Sequence, residues 1–366
     1  MAKELAVSHP LNLSPDHPLS RPPSSPQQKR IAQPQPRLWI HWGAVSEVIA
    51  ISGQTPSAYR PETSTAVGEA DGPVRSQNDE KSKKKRRLEY PPAPEPLPVP
   101  VIDNHAHLDF RDGLVKVSVS QHLDAAQSVG VAGAVLVGYD CASSEFAVRS
   151  AQRDHRAKAA VALHPNDAPH LAEKGEYDDA FARITQLASE PEVVAVGETG
   201  LDYFRTGEWG REAQRRSFFD HIALTSERGL AMQIHDRDAH SDVVAVLHDA
   251  PSLPDAVVFH CFSGDAELAR ICNRNGWYMS FSGSVTFKNS HDLREALVLA
   301  DPHLILVETD SPFLTPHPHR GQPNAPYMVP QTMRLMAEVR GSDLSQLCQQ
   351  VMFNTHQAYG QWTAAQ

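Results

Sequence analysis

The chain has 366 residues, of which 40% are hydrophobic and 29 are proline, and its formal net charge is −10. That length suits two average domains, or one barrel of about 250 residues with an appendage. Residues 1–97 carry 13 Lys and Arg against 10 Asp and Glu, so the remaining body is strongly acidic and will not grip long duplex nucleic acid through a broad basic face.

Seventeen of the prolines precede residue 101, with runs such as HPLSRPPSSPQQKR. Such a segment buries too little apolar surface to offset the entropy of ordering its backbone, so residues 1–97 are expected to form a disordered extension. One island, RLWIHWGAVSEVIAI at 37–51, is apolar enough for a short helix or docking segment but shorter than the ~20 apolar residues of a membrane span. The start lacks the charged-then-apolar pattern of a secretory signal, and the expected protein is soluble and cytoplasmic. A start codon assigned too far upstream would give the same texture. The run KSKKKRR at 81–87 reads as a nucleic-acid arm, an import signal or, more blandly, a solvated charge block in a linker. Deleting residues up to about 95 is expected to leave activity intact.

From Val101 the texture changes to eight short apolar runs: VPVIDNHAH, VAGAVLVGY, AKAAVALHP, VVAVGETGLD, GLAMQIHDR, DAVVFHCFSG, GWYMSFSGS and LILVETDSP. Continuous apolar strands of this kind belong to parallel sheets with helical crossovers. Amphipathic stretches lie between them, among them EWGREAQRRSFFDHIALTSERG and DAELARICNRNG, the latter closed by a glycine where a helix C-cap is expected. Strand and helix alternating eight times over residues 98–362 predict an α/β fold, a (β/α)8 TIM barrel. The four cysteines, Cys141, Cys261, Cys272 and Cys348, form no CxxC pair and read as reduced core residues of a cytosolic protein.

The runs stay apolar until their last residues and then offer His105 and His107, His164, Glu198, His235, His260, Ser282 or Asp310. Strand C-termini of a (β/α)8 barrel converge on the mouth where active sites are built, and side chains two apart in a strand share a side, so His105 and His107 are both expected to face inward. Any one of these residues has an ordinary explanation as a core imidazole, an ion-pair partner or a helix cap. Desolvated imidazoles and carboxylates gathered at one end need a countercharge, which a metal supplies. Four histidines with two carboxylates exceed what one divalent ion with an open position takes, and suit two ions about 3.5 to 4 Å apart, which implies hydrolysis.

The blocks HAHLD at 105–109, GETGLDYF at 197–204, QIHDRDA at 233–239, HCFSG at 260–264, ETDSPFLTP at 308–316 and RGQPNAP at 320–326 resemble, in order, those of the TatD family of metal-dependent deoxyribonucleases. The resemblance covers residues 101 to about 360 and implies an amidohydrolase-type barrel with a dinuclear site. By that analogy His105, His107 and Asp310 bind one ion, His235 and His260 the other, and Glu198 bridges both, with Asp310 and Glu198 the catalytic pair. Asp310 would double as general base toward the attacking water. Asp103, Asp109 and Asp202 are candidates to orient ligand imidazoles, or are ordinary loop contacts.

Substrate contacts are sought in Arg205, Arg237, Arg320, Asn324 and Ser263, in His164 toward the scissile phosphate, and in Tyr203 or Phe204 as a base-stacking ring, against the alternatives of solvated arginines and core aromatics. Ala162 stands where the family more often has glycine, and Phe204 where tyrosine or histidine is usual. The expected protein is a monomeric 3′-end-directed nuclease on single-stranded or frayed DNA, or on RNA, holding two ions of Zn, Mn, Fe or Mg and needing no membrane or obligate protein partner. Two other readings stay open: a phosphotriesterase- or lactonase-like esterase on the same barrel, disfavoured because the fourth strand offers Glu198 and no bridging lysine, and a non-catalytic scaffold with a vestigial site.

Overall fold

The computed structural model describes residues 86–112 and 117–361; the apolar island at 37–51 and the lysines of the basic run lie outside them. Eight parallel strands form one sheet in sequence order: β1 (Val101–Ala106), β2 (Val131–Val137), β3 (Ala157–Val161), β4 (Val193–Asp202), β5 (Ala231–Arg237), β6 (Val257–Phe259), β7 (Tyr278–Phe281) and β8 (Ile305–Val307). The expected (β/α)8 barrel is what forms. Beyond the last residues of β8 the barrel closes on β1: Asp310 N–H donates to the His105 carbonyl at 3.0 Å, His107 N–H to the Ser311 carbonyl at 2.7 Å, and Ala106 bridges Ser311 in parallel. The seam of the barrel therefore runs through three of the proposed ligands.

Outside the strands lie α1 (Val119–Ser128), α2 (Cys141–Arg153), α3 (Ala168–Lys174), α4 (Tyr177–Leu187), α5 (Glu208–Arg228), α6 (His240–Asp249), α7 (Ala266–Asn275), α8 (His291–Leu299), α9 (Val329–Arg340) and α10 (Leu344–Tyr359). Their ends follow local chemistry. Ser118 and Gln121 make a reciprocal capping box on α1, Asp265 accepts the N–H groups of Glu267 and Leu268 to start α7, and Gly229 and Gly276, at φ 65° and 72°, take the left-handed conformation that stops α5 and α7. Buried faces such as Phe218 and Ile222 of α5 pack against Leu201, Met232 and Ile234, forming the apolar layer between barrel and helices.

Residues 86–97 correct the expected domain boundary at 97. They lie along the barrel: Tyr327 Oη donates to the Pro91 carbonyl at 2.7 Å, Arg334 to the Pro96 carbonyl at 3.0 Å, and Leu97 is buried with its N–H on the Val129 carbonyl. At the other end Arg86 forms a buried bidentate pair with Asp112, both bonds 2.8 Å, and donates to the Gly321 carbonyl at 3.2 Å. This arginine of the basic run is thus no solvated linker charge. A proline-rich strap keeps every carbonyl as an acceptor, and its donors here lie on helices and loops far along the chain.

All four cysteines are free; Cys272 and Cys348 are buried in the core as expected, whereas Cys141 and Cys261, at the start of α2 and just past β6, are only half-buried. Among the described residues no helix is long and apolar enough to cross a membrane.

Candidate metal centre

His105 and His107 stand two apart at the end of β1, buried, with their Nε2 atoms 3.2 Å from each other. Their tautomers follow from what lies behind them. His105 Nδ1 is 3.0 Å from Gln233 Oε1, and the Gln233 amide nitrogen donates to the Asn104 carbonyl and toward Tyr359 Oη, so its oxygen is left to accept. His107 Nδ1 is 2.9 Å from the Val137 carbonyl. When neutral, both rings therefore carry hydrogen on Nδ1 and aim Nε2 lone pairs into one space. Two lone pairs at that separation repel unless a cation or a proton sits between them.

Glu198, in the middle of β4 and 5% exposed, faces that space and a second one. Its Oε1 lies 3.3 Å from His107 Nε2 and 4.0 Å from His105 Nε2, while Oε2 lies 2.8 Å from His260 Nε2 and 2.9 Å from His235 Nδ1. Gly197 allows the close approach, since a Cβ there would meet Gln233 Cβ at 2.5 Å, the residue that holds His105. Asp310 closes the first group, with Oδ1 3.6 Å from His107 Nε2 and 3.9 Å from His105 Nε2. Its φ of 54° is in the left-handed region, which an aspartate tolerates better than a branched residue.

The charges are strongly coupled. Burial opposes a proton on His107, yet the hydrogen bond and charge of Glu198 overcome it and push the imidazole up to about 9. Burial likewise opposes charge on Glu198 and His260; mutual attraction wins, holding Glu198 well below and His260 well above their ordinary values. Burial and the charge of His260 drive His105 well down. Burial pushes Asp310 up to about 7 in this side-chain environment, with Glu308 and Glu198 adding to the rise. A divalent cation relieves the same conflict without protons.

The donor set fits such ions. Imidazole nitrogens and carboxylate oxygens converge on two groups that share Glu198, one through each carboxylate oxygen: His105, His107 and Glu198 bring three ligand atoms within 4.8 Å of one another, and His235 and His260 meet the other oxygen at 2.9 and 2.8 Å.

A family profile described as TatD related DNase matches residues 102–360. The chain belongs to the TatD family. It is 41% identical over 264 residues to an uncharacterized metal-dependent hydrolase TatD of Mycobacterium tuberculosis, covering 71% of this chain and 98% of that one. It is also 34% identical over 241 residues to a protein of Enterobacter lignolyticus called 3′-5′ ssDNA/RNA exonuclease TatD, covering 64% and 90%. Among solved structures, YJJV, a TatD homolog from Escherichia coli, aligns at TM-score 0.64 and 25% identity, covering 71% of this chain and 97% of that one. The chain is thus a metal-dependent hydrolase of the TatD family.

Around the six proposed ligands, this TatD-family barrel differs from the sequence reading in several places. Asp202 does support an imidazole, its Oδ2 3.2 Å from His235 Nε2. Asp103 instead accepts from Thr309 Oγ1 and the N–H groups of Thr309 and His105, and Asp109 accepts from Tyr139 Oη, so these two brace backbone and neighbour rather than a ligand ring. His164 Nε2 lies 3.7 Å from Glu198 Oε2, but its Nδ1 accepts the Asn166 N–H at 3.0 Å. Burial pushes this imidazole down to about 3, so it stays neutral with hydrogen on Nε2: a donor facing the centre, not a ligand.

Asn324 corrects the proposed phosphate contact outright. It is buried, its amide nitrogen donates to the carbonyls of Thr309 and Phe313 at 3.0 and 2.6 Å, and its oxygen accepts the Ala325 N–H. With both hydrogens committed, it clamps the loop that carries Asp310. Tyr203 is no stacking ring either, since it is half-buried against the core and its hydroxyl donates to Asp242. Arg205 is exposed just past β4, Arg237 lies over the ring of Phe204 at 4.1 Å, Arg320 lies over Phe287 at 4.0 Å, and Ser263 donates to the Asp236 carbonyl.

Two supporting residues escaped the sequence reading. Gln233 fixes the His105 tautomer. Glu308, fully buried, accepts the Cys261 N–H at 2.8 Å and the Ser280 hydroxyl at 2.5 Å, and stands 3.6 Å from His260 Nδ1. Both are polar residues embedded in apolar strand-like runs, QIH and LILVE, and that misfit is the signal each carried.

Proposed function

We propose that this chain is a metal-dependent phosphodiesterase, a 3′-5′ exonuclease acting in the cytoplasm as a monomer on single-stranded or frayed ends of DNA, or on RNA. The observation that carries the proposal is the division of Glu198, one carboxylate oxygen toward His105 and His107 and the other toward His235 and His260. Such a bridge suits two ions that clamp both oxygens of an in-line displacement. His105, His107 and Asp310 would hold one ion, His235 and His260 the other, with Glu198 common to both.

Zinc, manganese, iron or magnesium ions supply, when bound, about four positive charges opposite the phosphate and acidify the attacking water. The chain's own residues do the rest. Asp310, whose side chain is 14% exposed against 7% for Glu198, would accept the water's proton at a carboxylate oxygen. His164, neutral and with Nε2–H facing the centre, is placed to donate to a non-bridging phosphoryl oxygen. Gln233, Val137 and Asp202 keep the ligand rings in the tautomers that leave the inward nitrogens free.

The substrate class follows from charge and kinship. A body carrying 34 Asp and Glu against 21 Lys and Arg beyond residue 97 attracts phosphate only at one focus, which favours chain ends over long duplex. The name of the Enterobacter relative agrees with that choice, and the absence of a lysine on β4 between Val193 and Asp202 weighs against a lactonase-like site bridged by a carboxylated lysine.

The test is degradation of an end-labelled single strand across a metal series. Wild type is expected to shorten the strand from its 3′ end only when metal is present, and Glu198→Ala to fail. Turnover of a lactone or phosphotriester without strand shortening would overturn the proposal.

A further inference from the structure

Four large apolar side chains are exposed among the described residues, and two of them, Phe204 at 60% and Trp209 at 55%, sit within six residues of each other after β4. Exposed aromatic surface costs hydration free energy, and contiguous patches of it mark contact sites. Their place is informative. Phe204 follows Asp202, the carboxylate that holds His235, and Trp209 is the second residue of α5. Helices of a (β/α)8 barrel begin at the end where strands finish, so both rings stand on the rim that carries the metal centre.

Each ring is paired with a nitrogen-bearing group from a neighbouring unit. The Arg237 guanidinium lies 4.1 Å above Phe204, and Arg237 is two residues beyond His235 on β5. His170, near the start of α3, lies 5.2 Å from the Trp209 ring. The guanidinium over Phe204 orients that ring and the tilted imidazole packs beside Trp209, while both rings keep more than half of their surface exposed. The rim therefore offers two prepared rings beside a phosphate-directed centre, on a body too acidic to hold a strand by charge alone.

We infer that Phe204 and Trp209 form a base-stacking subsite that holds unpaired bases of a single-stranded nucleic acid next to the cleavage site. This deepens the nuclease reading and rests on it for the identity of the ligand. Stacking requires bases free of a duplex, so the subsite makes single-stranded substrate a consequence of surface shape. Tyr203, between β4 and Phe204, is half-buried against the core with its hydroxyl on Asp242 and takes no part.

The test compares two strands that differ only in their bases. The full chain as purified is titrated with a phosphorothioate thymidine dodecamer, slow to hydrolyse, and with its abasic counterpart. Wild type is expected to bind the base-bearing strand at least about tenfold more tightly, the worth of one good stack. Phe204→Ala with Trp209→Ala should abolish that preference, and Phe204→Tyr with Trp209→Phe should restore it. Equal affinity of wild type for the two strands, or a preference surviving the double alanine variant, would overturn the subsite. Hydrolysis is scored separately on ordinary strands. Base-dependent binding without hydrolysis would defeat the nuclease reading alone, and hydrolysis without base preference would defeat the subsite alone.

Discussion

Asp202 Oδ2 stands 3.2 Å from Nε2 of His235, on the side of the ring away from Glu198, whose Oε2 is 2.9 Å from Nδ1. The same carboxylate is tied down by the Arg205 N–H at 2.8 Å and the Asn166 amide at 3.0 Å. Burial opposes its charge, but these donors and His235 hold it well below the usual carboxylate range. Supports of this kind tune a ligand's basicity and orientation. Asp202→Asn should lower metal affinity by roughly ten- to a hundredfold, read by competition with a chelator. Unchanged affinity would show that His235 needs no such support.

Asn324 separates a structural from a substrate role. Asn324→Ala leaves two buried carbonyls without donors, which should cost on the order of 1–3 kcal/mol of stability, and loosens the loop bearing Asp310. A lowered Tm together with a lowered kcat is expected. A raised KM with Tm unchanged would favour direct phosphate contact.

The strap gives a truncation series. Removing residues 1–85 should leave the barrel's unfolding free energy unchanged, whereas removing 1–97 also strips Leu97, the Pro91 and Pro96 carbonyl contacts and Arg86 from it. Arg86→Ala alone leaves Asp112 buried without its bidentate partner and should cost roughly 3–5 kcal/mol in urea unfolding. Equal stability of the two truncations would mean that the strap only rests on the surface.

What the sequence revealed and what it hid divide along the range of the interactions. The eight apolar runs ending in polar residues reflect strand periodicity and burial, which are local, so His105, His107, Glu198, His235, His260 and Asp310 can be gathered without coordinates. Asn324, Gln233 and Glu308 take their roles from partners that arrive through the barrel's closure and its strand neighbours, such as Thr309, His105 and Ser280. The strap was misread for a related reason: composition reports how little apolar surface residues 86–97 own, not which donors reach their carbonyls. Phe204 and Tyr203 are adjacent aromatics in the sequence, and only the burial of Tyr203 against the core, with its hydroxyl on Asp242, distinguishes them.

Acid should destabilise the fold through two imidazoles outside the centre. His221 accepts the Leu163 N–H at Nε2 and sits 2.7 Å from the Ser217 carbonyl at Nδ1, and His122 is buried with no hydrogen-bond partner for Nδ1 among the described residues. Burial pushes both down to about 4 from an ordinary 6.5. Between those values the unfolded chain binds protons that the folded chain refuses, so stability falls as pH drops from about 6.5 to about 4, by roughly 3 kcal/mol per imidazole. His122→Leu should flatten the slope of unfolding free energy against pH in that window by about one proton. An unaltered slope would place the acid sensitivity elsewhere.

The central claim is that Glu198 joins two ions in one site, and counting metal tests it most directly. Wild type, loaded with zinc or manganese and dialysed, should retain two ions per chain by elemental analysis, His107→Ala about one, and Glu198→Ala fewer than one because both groups lose a ligand. A wild-type chain that retains at most one ion, or a Glu198→Ala chain that still holds two, would contradict the account.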